Sequence, residues 1–270
     1  MDIKNLTTRS ASGVVYVALI VGLYLAGDIW FALLMMAFAA LGVAEYDKLL
    51  NGKAQTPARL FALSLDLAGA ISIVATTVWR IFLPVVLMYI VLRLIAALYD
   101  RGEQPFERLM RSFGAQVYIS LPLTLTALLA TPLGRFVAGP AAGLCMFILI
   151  WLNDTGAFLT GSMLGRHRLF ERLSPKKSWE GFAGGMLFCI IFGIIMTMVF
   201  DVNLSAAAGG VLGACVSIAA TYGDLAESMM KRNLGVKDSG SLIPGHGGIL
   251  DRIDSLLLVA PVTWLFLFLI

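Results

Sequence analysis

The stretch from 224 to 255 holds the most informative set of side chains able to do polar chemistry. Asp224, Glu227, Ser228, Lys231 and Arg232 fall at i, i+3, i+4, i+7 and i+8, which puts them on one face of a helix. Lys237-Asp238-Ser239-Gly240 follows, then Pro244-Gly245-His246-Gly247-Gly248, then Asp251, Arg252, Asp254 and Ser255. Two helix ends, each with carboxylates on one face, bracket a glycine-rich loop. That set suits phosphate. Glycines let backbone N–H groups approach an anion closely. The start of the helix near Asp251 adds a positive dipole end, and Lys or Arg side chains hold phosphate oxygens. Carboxylates without soft ligands suit Mg²⁺, which prefers oxygen and bridges substrate phosphates. One ion or two would stabilise an in-line displacement. The loop is not a Walker A loop, because G-x4-G-K-[ST] occurs nowhere in the chain.

A second set precedes it: Asn153-Asp154-Thr155-Gly156, then Ser174-Pro175-Lys176-Lys177-Ser178-Trp179-Glu180-Gly181. Asp154 is expected where a span meets water, and an ionisable residue at that depth is a functional candidate, with a cap or ion pair as the plain alternative. Ser174 or Ser178 can cap the following helix. Lys176 and Lys177 either anchor the interface or grip a phosphate.

The elements that position these residues are transmembrane helices. The chain has 270 residues, 59 % of them hydrophobic and 14 % charged, against about 25 % charged in soluble domains. Lipid must solvate most of it. A net charge of +3 gives no basic tract for nucleic acid. Cys145, Cys189 and Cys215 sit in apolar runs without metal-ligand spacing, as small core residues do. Lys4 and Arg9 before an apolar run mimic a signal peptide, but a second apolar run begins at once, so a retained first span is expected.

The fold expected is all-α: a polytopic membrane protein with about nine spans, near 13–27, 29–44, 61–78, 81–99, 113–131, 136–152, 181–200, 203–220 and 255–270. This reads as one membrane-embedded domain over 1–270, with less specific spans over 1–131 and the catalytic core in 132–270. Nine spans put nearly all Lys and Arg on one side and leave Arg80 and Arg135 on the other, so the positive-inside rule makes the first side cytoplasmic. The polar stretches 153–180 and 221–254 share that side. Arg93, inside the fourth span, is expected to pair with Asp66 or to meet a lipid headgroup. Trp30, Trp79, Trp151 and Trp179 fall near the expected interfaces, as an aromatic belt would place them.

The run from Ser228 to Asp254, with Lys231, Lys237-Asp238, Pro244-Gly-His-Gly-Gly248 and Asp251-Arg-Ile-Asp254, closely resembles the signature of the phosphatidate cytidylyltransferases (CDP-diacylglycerol synthases). Asp154-Thr-Gly156 and Ser174-Pro-Lys-Lys-Ser-Trp-Glu-Gly181 look like two further blocks of that family. The resemblance is specific over about 153–255 and general elsewhere. It implies that phosphatidate and CTP give CDP-diacylglycerol and pyrophosphate. It also implies dependence on Mg²⁺, a cytoplasm-facing cavity open to the bilayer of the inner (plasma) membrane, and a homodimer. The roles expected are then these. Asp224, Asp251 and Asp254 hold metal, with Asp154 and Glu227 as further ligands or orienters. Lys231, Arg232, Lys237, His246 and Arg252 meet triphosphate and phosphatidate oxygens, and Gly245, Gly247 and Gly248 supply backbone donors. Lys176 and Lys177 help bind CTP, with Ser174 and Ser228 beside the substrates. A CTP-dependent lipid kinase or a cytidylyltransferase for another lipid phosphate would use similar parts. A transporter would instead place its charges near the midplane of interrupted spans.

Overall fold

The computed structural model describes residues 3–52, 56–240, 242 and 247–270, with side chains from Ser12 onward. Gly245 and His246 of the glycine loop lie outside the described residues. The elements run α1 (Ile3–Ala26), α2 (Asp28–Asn51), α3 (Pro57–Ala75), α4 (Phe82–Leu98) and α5 (Pro105–Ala115). A π-turn, Gln116–Ser120, carries α5 into α6 (Leu121–Ala130). Then come α7 (Pro132–Ala138), α8 (Ala142–Leu164), β1 (Arg168–Phe170), β2 (Ser174–Ser178), α9 (Trp179–Val199), α10 (Ala206–Asn233) and α11 (Leu250–Leu269). Among the described residues seven helices are long and apolar enough to cross a membrane, counting Pro105–Ala130 as one; Ser12–Ala26 and Phe82–Leu98 are shorter apolar helices. The chain is therefore an all-α membrane protein, and each expected span overlaps one of these segments.

Polar side chains mark the ends where the sequence places them. Thr56 accepts from the Arg59 amide, with Pro57 at the first helical position of α3. Ser178 Oγ accepts from the Gly181 amide at the start of α9, and Ser205 Oγ accepts from the Ala208 amide at the start of α10. Each satisfies an amide that the first helical turn leaves without a partner.

Three features differ from the sequence expectation. First, α8 does not end at Asp154 but continues to Leu164. Beyond Asp154 it keeps large apolar residues, and Phe158 and Met163 face outward, so the apolar surface outlasts the polar pair. Second, the polar stretch before α9 forms an antiparallel hairpin that pairs Arg168 with Ser178 and Phe170 with Ser174. Third, the fifth span begins at Pro105 and contains the π-turn. Pro122 lies just beyond that turn. A proline ring inside a helix clashes with the carbonyl four residues back, and widening the preceding turn is a known relief.

The chain divides into two compact units. One comprises Met1–Thr131 with Asp238–Arg252, the other Pro132–Lys237 with Ile253–Ile270. The first unit holds a buried polar network. Arg93 Nε lies 3.0 Å from Asp66 Oδ1, so the expected pairing is present. Arg93 Nη2 donates to Ser112 Oγ at 2.7 Å, and Ser112 Oγ donates to Asp66 Oδ2 at 2.6 Å. Tyr89 donates to Asp66, Gln116 donates to the Asp66 carbonyl, and Ser120 donates to Gln116. Polar groups at this depth are stable only when satisfied within the protein.

In the second unit small residues let α8, α9 and α10 approach closely, as in other membrane bundles. A Cβ on Gly185 of α9 would lie 2.8 Å from the carbonyl and side-chain oxygens of Asn153 on α8. Gly193 of α9 meets the Gly209 carbonyl of α10 in the same way. The Asn153 side chain accepts from Ser217 Oγ of α10 at 2.6 Å. Close backbone approach thus fixes how α8 and α10 face one another.

Candidate active site

α10 runs unbroken to Asn233, so Asp224, Glu227, Ser228, Lys231 and Arg232 share one helix, as their spacing requires. Gly223 brings α11 against it: a Cβ there would lie 2.8 Å from the Asp254 carbonyl and 3.1 Å from Ser255 Cα. Ser255 Oγ donates to the Ala220 carbonyl at 3.2 Å. This contact carries Asp254 to the acidic face of α10. Asp224, Glu227 and Asp254 each present an oxygen within 4.8 Å of the others.

Three carboxylates at that spacing repel one another and need positive charge. Two lysines supply part of it. Lys177, at the end of β2, places Nζ 2.7 Å from Asp224 Oδ2 and 3.4 Å from the Thr221 carbonyl. Lys231 places Nζ 2.5 Å from Glu227 Oε2, one turn along α10, and Glu227 is fully buried. Ser228 Oγ donates to Asp224 Oδ1 at 3.3 Å. The trio also fits a divalent cation. All three donors are hard oxygens, and opposite ligands around Mg²⁺ stand about 4.2 Å apart at its usual bond length.

Beside the trio opens a cavity of about 420 Å³. Asp154, Lys176, Lys177 and Asp224 give it a charged wall, while Phe158 and Phe182 are among its apolar residues. A wall that is charged on one side and apolar on another suits an anionic group attached to an apolar body.

Most of the remaining candidates have partners of their own. Ser174 pairs with Phe170 in the hairpin. Arg232 is exposed and donates to the Val236 carbonyl at 3.1 Å, and Lys237 is exposed. Arg252 belongs to the first unit, where its carbonyl accepts from Tyr16 at 3.0 Å. Asp251, also in that unit, accepts from the Gly248 amide at 2.8 Å and from the Ser239 amide and hydroxyl at 3.0 Å each. The three carboxylates that could together hold a metal are thus Asp224, Glu227 and Asp254, while Asp251 accepts from Gly248 and Ser239.

Within the first unit, Glu45 is a residue that the sequence does not single out. Glu45 of α2 accepts from the Ile249 amide at 3.0 Å, the Leu250 amide at 3.1 Å and Ser239 Oγ at 3.2 Å. The positive start of α11, read from sequence as a place for phosphate, holds this carboxylate. The only local signal was an acidic residue closing the apolar run of α2, within Ala44-Glu45-Tyr46-Asp47-Lys48.

Comparison with known proteins places the chain in a family. The cytidylyltransferase family matches residues 7–270. A phosphatidate cytidylyltransferase of Staphylococcus haemolyticus is 46% identical over 116 residues, 43% of this chain and 45% of that protein. One of Mycobacterium leprae is 38% identical over 160 residues, 59% of this chain and 51% of that protein. One of Mycobacterium tuberculosis is 43% identical over 123 residues, 46% of this chain and 37% of that protein. The chain spans about half the length, or less, of these curated relatives. With the family matched over nearly its whole length and an acidic trio beside a lysine-lined cavity, this chain belongs to the cytidylyltransferase family.

Proposed function

We propose that the protein is a phosphatidate cytidylyltransferase, transferring the cytidylyl group of CTP to phosphatidate to give CDP-diacylglycerol and pyrophosphate. The observation that carries this reading is the convergence of Asp224, Glu227 and Asp254 beside a cavity walled by Lys176 and Lys177. The relatives' names supply the lipid and the nucleotide.

In this reaction a phosphate oxygen of phosphatidate attacks the α-phosphorus of CTP. A new P–O bond forms, the bond from the α-phosphorus to the α,β-bridging oxygen breaks, and pyrophosphate leaves with that electron pair. The nucleophile is already anionic, so no general base is needed. What the protein contributes is position and charge. Lys177 and Lys176 bring positive charge to phosphate oxygens in the cavity. Asp224, Glu227 and Asp254 would hold Mg²⁺, one ion or a pair, which when bound neutralises charge that develops on the phosphates. Phe158 and Phe182 offer an apolar surface to the lipid.

The lipid substrate stays in the bilayer, which accounts for a site built at the ends of spanning helices. The excess of Lys and Arg on one side supports an inner (plasma) membrane location with the site facing the cytoplasm. A homodimer is the expected assembly.

The test supplies purified protein with phosphatidate, Mg²⁺ and CTP labelled at either the α- or the γ-phosphate. Label entering lipid from the α-phosphate alone establishes cytidylyl transfer. Label from the γ-phosphate alone makes the protein a lipid kinase and overturns the reading. Failure of both labels to enter lipid, from folded protein, also overturns it and directs attention to other lipid phosphates and to transport.

A further inference from the structure

In the first unit two carboxylates are wrapped by one loop. Glu45 reaches from α2 to the Ile249 and Leu250 amides, more than two hundred positions away in sequence. Those are among the amides that the first turn of α11 leaves without a partner inside the helix. A carboxylate there satisfies them with charge-assisted bonds and meets the positive end of the helix dipole. Asp251 takes the Gly248 amide and the Ser239 amide. Ser239 Oγ stands between the two acids, 3.2 Å from Glu45 and 3.0 Å from Asp251.

The loop's glycines answer to the same two acids. A Cβ on Gly240 would lie 2.6 Å from Glu45 Oε1, and one on Gly248 would lie 2.7 Å from that atom. Gly247 has φ +82, and a Cβ there would lie 2.5 Å from Asp251 Oδ2. Gly247 and Gly248, read in sequence as backbone donors to phosphate, are therefore positions where the chain closes on protein carboxylates, and Gly240 is a third. The Gly248 amide is engaged by Asp251, which leaves Glu45 and Asp251 to hold Ser239, Gly248 and the first turn of α11.

We infer that Glu45 is a positioning residue for the reaction: by holding the Ile249 and Leu250 amides it fixes the first turn of α11, the same continuous helix that carries Asp254 of the acidic trio one turn further on. The inference rests on the cytidylyltransferase reading for its catalytic half, and on geometry alone for the clamp itself. Glu45 touches no reacting atom on this view, so its loss should lower turnover more than substrate binding.

The experiment compares Glu45→Gln, Glu45→Ala and Glu45→Asp in full-length protein purified in detergent. Hydrogen exchange of the peptide spanning 237–252 reports the clamp, thermal melting reports the fold, and kcat and KM for CTP and phosphatidate report the reaction. Loss of a charge-assisted cap is expected to speed exchange in that peptide roughly tenfold or more in Glu45→Gln. The kcat of Glu45→Gln should fall roughly tenfold or more, with both KM values within about threefold of the parent. Glu45→Asp keeps the charge one methylene short and should recover part of kcat. Should Glu45→Ala fail to fold, Glu45→Gln decides the matter, because it retains one acceptor and the side chain's volume. Unchanged exchange in 237–252 overturns the clamp. Faster exchange with kcat within about twofold of the parent overturns the positioning role. Parent protein that transfers no α-phosphate sinks the cytidylyltransferase reading and the catalytic half with it, while the exchange result still judges the clamp.

Discussion

Lys177 Nζ lies 2.7 Å from Asp224 Oδ2, so the last turn of a surface hairpin delivers a cation to the acidic face of α10. Both side chains are about one-third exposed or less, and water screens the pair. Such pairs contribute on the order of 0–1 kcal/mol to folding. Lys177→Met should therefore leave the melting temperature within a few degrees of the parent. Turnover should fall by roughly a hundredfold, the scale of removing one charge-stabilising donor. A loss of folding comparable to the loss of activity would show that Lys177 serves the hairpin instead.

Lys231 should behave differently. It is 9% exposed and its partner Glu227 is fully buried. Removing one member of such a pair costs about 3–5 kcal/mol. Lys231→Met should lower both stability and activity, whereas Lys177→Met lowers activity alone. Parallel melting and turnover measurements on the two variants check this contrast.

The acidic trio predicts an opposition between stability and metal binding. Without a cation, Asp224, Glu227 and Asp254 crowd like charges within 4.8 Å. Asp224→Asn or Asp254→Asn should melt at or above the parent's temperature in chelator. Added Mg²⁺ should raise the parent's melting temperature, by linkage, and should leave these variants unmoved. Their activity should fall below detection. A variant that keeps its Mg²⁺ shift would remove that residue from the ligand set.

Asp66 and Arg93 form a buried pair 3.0 Å apart within the first unit. Asp66→Ala or Arg93→Ala alone should destabilise by about 3–5 kcal/mol. The double variant should cost less than the sum of the two, since the contact is shared. A double-mutant cycle on thermal or denaturant unfolding measures the difference; strict additivity would mean that the pair is energetically idle.

Gly185 tests the close approach of α8 and α9. A Cβ at that position meets the Asn153 carbonyl and side chain at 2.8 Å. Gly185→Val should cost about 1–3 kcal/mol by overpacking and should lower activity by displacing Asn153, which lines the cavity. Wild-type stability and turnover in this variant would show that the helices have room to part.

Local spacing carried much of this architecture into view. The face from Asp224 to Arg232 follows from helical period, the cap at Ser178 from its place before an apolar run, and the Asp66–Arg93 pair from two charges stranded in lipid. What stayed hidden was non-local or weakly patterned. Glu45 acquires its role only when α2 meets a loop two hundred residues later, and no periodicity records that meeting. The hairpin from Arg168 to Ser178 is short and polar, without the alternation of apolar residues that announces a strand. The end of α8 was misplaced because Asn153-Asp154 interrupts its apolar run; the cavity they face accounts for that polarity inside a continuing helix. The divergence of Asp251 from Asp254, three residues apart, also escapes local reasoning, since each takes its partners from a different part of the chain.

α10 is 28 residues long, or about 42 Å at the usual rise per residue. A bilayer's hydrocarbon region is about 30 Å thick, so about eight residues must emerge or tilt. Counted from Ala206, those are Ala226 to Asn233, the stretch that carries Glu227, Lys231 and Arg232. The length of one helix thus acts as a depth gauge: it sets where Glu227 and Lys231 stand relative to the acyl chains. A thicker membrane would draw Glu227 and Lys231 down toward hydrocarbon and a thinner one would lift them away, so turnover becomes a function of bilayer thickness.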